Sequence, residues 1–131
     1  MPEMTKQRPK HLALNEIRLP LAGFASILHR VSGAGLFLLL PLLIWLLQLS
    51  LGSTQASTEM FAAVTGNWLV KLILLGLLWA FFHHFCMGIR ILLIDIHVGV
   101  EKQQAHNSAV AVMVVSLALT AIFGLKLLGA Y

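Results

Sequence analysis

The stretch SILHRVSGAGLFLLLPLLIWLLQLSL, residues 26–51, decides how this chain is read. From Val31 to Leu51 it carries no formal charge, and about 20 such residues suffice for an α-helix to cross ~30 Å of hydrocarbon. Its head nevertheless holds Ser26, His29, Arg30 and Ser32, groups that a bilayer penalises unless something compensates them. The long apolar run makes this a membrane segment, and the polar head makes it a candidate functional one.

The rest of the composition agrees with a membrane protein. The chain has 131 residues, of which 59% are hydrophobic and 11% charged, too little polar surface to cover a soluble globule of that length. The N-terminal residues are polar and basic (Lys6, Arg8, Lys10, Arg18), without an apolar core followed by a cleavage site, so no secretory signal is expected there. Cys86 is the single cysteine, which excludes an intrachain disulfide and a multi-cysteine zinc or iron–sulfur site. Any metal must then be held by histidine or arrive inside a cofactor. The net charge of +4 comes from basic residues that flank apolar runs, a pattern of membrane anchoring that lacks the interleaved aromatics of a nucleic-acid surface. No repeat or linker divides the chain, so residues 1–131 are read as one domain.

Three segments meet the length requirement: 20–51, 68–94 and 108–130, preceded by an N-terminal segment 1–19. Continuous apolarity without alternation makes them helices. Pro20 suits a helix start, and Pro41 predicts a kink inside the first span. The connection from Gly52 to Asn67 has no Lys or Arg, whereas Lys and Arg precede the first span and Arg90 and Lys102 flank the second connection. The expected topology therefore has a cytoplasmic N-terminus and a periplasmic C-terminus, in a bacterial inner membrane. Trp68 and Tyr131 would sit at the outer interface, with Lys71 and Lys126 extending outward.

Ser26, His29, Arg30 and Gly33 recur at i, i+3, i+4 and i+7, one stripe of a helix. A hydroxyl, an imidazole, a fixed cation and small residues on one face suit an anionic or strongly hydrogen-bonding ligand. Residues 31–51 alone could also span the bilayer, leaving Arg30 as an interfacial anchor and His29 at the surface. In the second span, HHFCMGIR (His83–Arg90) offers a second polar group. Gly88 lies one turn after His84 on the same face, which favours His84 over His83 as the residue that meets a flat macrocycle or a partner helix. Taking Arg90 as the inner surface, His84 lies about 9 Å inside it. A buried neutral imidazole is a good axial ligand for haem iron; a hydrogen bond to a neighbouring helix is the alternative use. His83 is read as a packing residue, and His11, His97 and His106 as solvated.

Taken together, RPKHLALNEIRLPLAGFASILHRVSG and HFCMGIRILLID resemble the two signatures of the cytochrome b membrane-anchor subunit of succinate dehydrogenase. The first is Arg-Pro followed by Ser-x-x-His-Arg-x-Ser, here Arg8, Pro9, Ser26, His29, Arg30 and Ser32. The second is His-x-x-x-Gly-Ile-Arg with an Asp five residues on, here His84, Gly88, Ile89, Arg90 and Asp95. Two positions depart from the pattern: Ile91 stands where the family often has an aromatic or His, and His97 where it has a small residue.

This resemblance implies an all-α membrane protein whose three transmembrane helices form half of a heterodimeric haem-binding bundle. It further implies His84 as an axial ligand of haem b, shared with a second membrane-anchor subunit. His29 and Arg30 would contact the haem propionates, and Ser26 and Arg30 would line a ubiquinone pocket. The implied partners are the second anchor, the iron–sulfur subunit, the flavoprotein subunit and membrane lipid. The implied function is anchoring the soluble subunits of respiratory complex II and helping to pass electrons from succinate to ubiquinone. The chain lacks a dinucleotide-binding glycine motif and a cysteine cluster, so it is not expected to be catalytic alone. A fumarate-reductase-type anchor, or a small transporter or assembly subunit without haem, are the rival readings.

Overall fold

A computed structural model describes residues 15–129 of the chain. The expectations for Lys6, Arg8, Pro9, Lys10, His11, Ala130 and Tyr131 fall outside the described residues. Among those described, five helices and no strand occur: α1 (Leu21–Leu38), α2 (Leu40–Leu51), α3 (Gln55–Gly66), α4 (Trp68–Asp95) and α5 (Lys102–Leu127). Three of these, α1, α4 and α5, are long and apolar enough to cross a membrane. The chain is an all-helical, multi-pass membrane protein.

Pro41 acts on the first span as its chemistry requires. Lacking an N–H, it cannot continue the ladder, and the helix breaks at Leu39 (φ −97°, ψ 4°), so α1 and α2 are separate helices with proline in the first turn of the second. The connection after Gly52, in which the sequence reading placed no helix, contains α3. Thr54 caps it by accepting a hydrogen bond from the Ser57 N–H at 3.2 Å, and Gln55 donates to Glu59 one turn on at 2.8 Å. Asn67 then caps α4, accepting from the Leu69 N–H at 2.9 Å.

α5 begins at Lys102, ahead of the apolar stretch. Polar residues continue the helix there, with Gln103 donating to Asn107 at 2.9 Å. Helix and hydrocarbon span need not coincide, because water satisfies an exposed turn as well as lipid accommodates an apolar one. Between α4 and α5 the chain turns through His97 (φ 63°) and Gly99 (φ 77°). The His97 N–H donates to the Ile94 carbonyl and the Val98 N–H to the Leu93 carbonyl, both at 2.9 Å. Those two bonds form a Schellman cap with His97 at its left-handed position. Glycine, without a Cβ, is what that φ favours.

The interior is a narrow seam, since lipid rather than water faces most of the remaining surface. α5 presents Ala109, Val112, Ser116 and Gly124, spaced along one face, and α4 presents Leu77, Ala80, His83, Met87 and Arg90. Ala25 and Ser32 are the buried residues of α1, and Ala25 joins Met87, Ala109 and Val112 in one cluster where α1, α4 and α5 meet. Small side chains at these positions let the helix backbones approach closely.

Arg90, expected to mark the inner surface, is also engaged within the bundle. It is buried, donating from Nε to Ser108 Oγ at 2.9 Å and from Nη2 to the Ala105 carbonyl at 3.1 Å. Desolvation of a guanidinium is costly, and the first turns of α5 supply the acceptors that offset it. Arg90 therefore ties α4 to α5.

Candidate functional site

Helix α1 brings its polar stripe against the middle of α4, and the two histidines of interest separate there. The His84 ring lies parallel to that of His29, with centroids 4.1 Å apart and planes 12° from parallel. His84 Nδ1 is 3.1 Å from the His29 carbonyl oxygen. A carbonyl only accepts, so Nδ1 is the donor, and a neutral ring in that tautomer has its lone pair on Nε2. Ser32 completes the arrangement: its hydroxyl donates to the same carbonyl at 2.8 Å, and its oxygen lies 3.3 Å from His84 Nδ1. Metal-bound imidazoles are oriented in this way by an outer hydrogen bond from the second ring nitrogen.

Gly33 is the other condition for this geometry. A Cβ built at that position would lie 2.8 Å from His84 Cε1 and 3.2 Å from Nδ1. Only hydrogen leaves room for the ring. Gly88, in contrast, has no described neighbour from another helix within 4 Å of a built Cβ, so α1 covers the His84 ring but does not reach the turn after it.

His83 is placed quite differently. It is fully buried, its Nε2 donates to the Ala25 carbonyl at 3.3 Å, and its ring stacks against Trp79 at 5.2 Å. Its Nδ1, which bears the lone pair, is enclosed with no partner among the described residues. A ring held inside the bundle cannot offer that lone pair to a group shared with another chain. Cys86 packs at the edge of the same core cluster.

Of the other stripe residues, Ser26 and His29 are half-buried and Arg30 is exposed. Neither the Ser26 hydroxyl nor the Arg30 guanidinium bonds to a described residue. Among the described residues no group of three or more His, Cys, Asp or Glu side chains could hold a metal ion. What the site offers is one oriented imidazole with a hydroxyl and a fixed cation on the neighbouring helix, a donor set that fits one side of a haem. The functions of Ser32 and Gly33 were not distinguished by reading the sequence, although both stand in the quoted signature and stripe; helix rotation decides that they meet His84.

The chain from residue 4 to 123 matches the family model described as succinate dehydrogenase/fumarate reductase transmembrane subunit. The chain belongs to that family. It is 36% identical over 118 residues to a succinate dehydrogenase cytochrome b556 subunit of Paracoccus denitrificans, covering 88% of each chain. A protein of the same description from Coxiella burnetii is 31% identical over 121 residues, covering 92% of this chain and 97% of the relative. One from Rickettsia felis is 30% identical over 118 residues, covering 90% and 91%. Family membership makes this a membrane subunit of a succinate dehydrogenase or fumarate reductase type of complex, and the small-transporter reading finds no support in these likenesses.

Proposed function

We propose that the chain is the cytochrome b anchor of a succinate:quinone oxidoreductase, holding the flavoprotein and iron–sulfur subunits at a bacterial inner membrane and contributing to haem b and ubiquinone sites shared with a second anchor. The observation that carries this reading is the oriented His84 ring, with Nδ1 held on the His29 carbonyl and the ring stacked on that of His29. His84 would hold the haem iron from this chain, and His29 and Arg30 would meet the propionates. Bound haem would supply a one-electron store.

The remaining residues act on the quinone side. The uncommitted Ser26 hydroxyl would donate to a quinone carbonyl and orient it. Negative charge develops on that oxygen as the ring is reduced, and the fixed cation of Arg30 would stabilise it in a low-dielectric setting. The Lys and Arg distribution supports a cytoplasmic N-terminus and α4–α5 connection.

The experiment is an optical spectrum of the purified complex. A b-type signal that is lost or shifted in His84→Ala, while His83→Ala retains it, is the expected result. Loss in His83→Ala with His84→Ala unaffected, or no b-type signal in the wild-type complex, would overturn the assignment.

A further inference from the structure

At the end of the bundle away from Arg90, helices α2, α3, α4 and α5 enclose an open groove of about 730 Å³. Its walls are apolar, with Leu46 from α2, Phe61 from α3, Leu74 from α4 and Leu127 from α5. Lys71 and Lys126 line the same groove, together with Ser50 and Thr65. Neither lysine forms a hydrogen bond or ion pair with a described residue. Glu59 is the one acidic residue in the 52–67 connection; it is not among the lining residues and accepts from Gln55 at 2.8 Å. Two lysines thus line a greasy channel in which, among the described residues, no carboxylate stands.

The local polar groups restrict the occupant further. Ser50 donates its hydroxyl to the Leu47 carbonyl at 2.8 Å and Thr65 to the Phe61 carbonyl at 2.7 Å. Their proton donors are committed, so toward a ligand these oxygens act as acceptors. Lys71 stands in the first turn of α4, where the helix dipole adds positive potential. We infer that this groove is a binding site for an anionic phospholipid, its phosphate held between Lys71 and Lys126 and an acyl chain lying along Leu46, Leu74 and Leu127. A polar headgroup hydroxyl is matched by the acceptor oxygens of Ser50 and Thr65. A zwitterionic lipid would bring its own cation to two ammonium groups, and an apolar segment would leave them unneutralised.

The test uses the assembled complex in lipid nanodiscs of phosphatidylglycerol or phosphatidylcholine. Wild type should retain phosphatidylglycerol in preference to phosphatidylcholine after exchange into detergent, and Lys71→Gln and Lys126→Gln should each lower that preference about fivefold, the order expected for one basic residue at a membrane surface. Lys71→Arg should keep it. Acylation of the two amines by a water-soluble reagent, read by mass spectrometry, should be slower in phosphatidylglycerol than in phosphatidylcholine. Equal retention in wild type and in the glutamine variants would overturn the inference. Equal protection of both amines in either lipid and in lipid-free detergent would also overturn it, by showing that a protein partner covers the groove. Haem absorbance is expected to be unchanged in all these variants, so failure here is separable from failure of the haem assignment.

Discussion

The imidazoles of His29 and His84 lie face to face across the α1–α4 contact, 4.1 Å between centroids, while the backbone oxygen of His29 holds His84 Nδ1 at 3.1 Å. One residue thus serves His84 twice, through its ring and through its main chain. Replacing His29 by Ala removes the stack, worth about 1 kcal/mol, but keeps the carbonyl. The expected outcome is a complex that retains haem with a shifted absorbance maximum or potential, measured by redox titration. Complete loss of haem would mean that the ring rather than the carbonyl positions His84.

Gly33 should tolerate no side chain. Gly33→Ala places a Cβ 2.8 Å from His84 Cε1, and displacing a packed ring costs about 1–3 kcal/mol. Haem content per complex should fall, more steeply in Gly33→Val, while Gly35→Ala should leave it unchanged because a Cβ there meets no other described side chain or helix within 4 Å. Pyridine haemochrome quantification on the three variants checks this.

Ser26 and Arg30 should affect one half-reaction. Ser26→Ala and Arg30→Ala are expected to lower ubiquinone reduction by tenfold or more, about 1.4 kcal/mol of transition-state stabilisation. Succinate oxidation by a soluble artificial acceptor should stay within twofold of wild type. Equal loss in both assays would indicate an anchor that fails to assemble.

Arg90 should matter for stability. Arg90→Gln gives up charge-assisted bonds to Ser108 and Ala105, each worth about 1.5–3 kcal/mol where the group is buried. Ser108→Ala removes one of the two acceptors and should cost less than losing both, about 1.5–3 kcal/mol. Thermal unfolding of the detergent-solubilised complex should rank them wild type above Ser108→Ala above Arg90→Gln. Arg90→Lys should resemble Arg90→Gln, since a point ammonium cannot reach both acceptors in the guanidinium's fork geometry.

His97 carries a backbone penalty that glycine would remove. It holds φ 63° at the Schellman position after α4, a conformation that costs an L-residue about 1 kcal/mol. His97→Gly is therefore expected to raise the unfolding midpoint slightly, with no effect on haem content or quinone reduction. A lowered midpoint would show that the imidazole itself makes a stabilising contact in the complex.

Not every residue was equally legible beforehand. Pro41 announced a kink in a single span 20–51, where the structure has a break at Leu39 between two helices, and the stripe on α1 followed from its spacing. Helix α3 was not anticipated because its residues are too polar for a span and too short for a clear period; its one local signal was Thr54 positioned to cap Ser57. The inward turn of Arg90 was illegible for another reason. A cation near the end of an apolar run reads as an anchor, and only the approach of Ser108 and Ala105 from α5 gives it somewhere else to go.

By itself the sequence determined that this is a helical membrane protein with three spans and that two of them carry costly polar groups, because hydrocarbon thickness and backbone hydrogen bonding leave few other solutions. Tertiary structure decided which of two adjacent histidines is enclosed in the bundle, which glycine makes room for the other, and where the guanidinium of Arg90 is spent. Those outcomes depend on the rotation and close approach of α1, α4 and α5, which are set by the fit of small side chains along the seam and not by the spacing within any one helix.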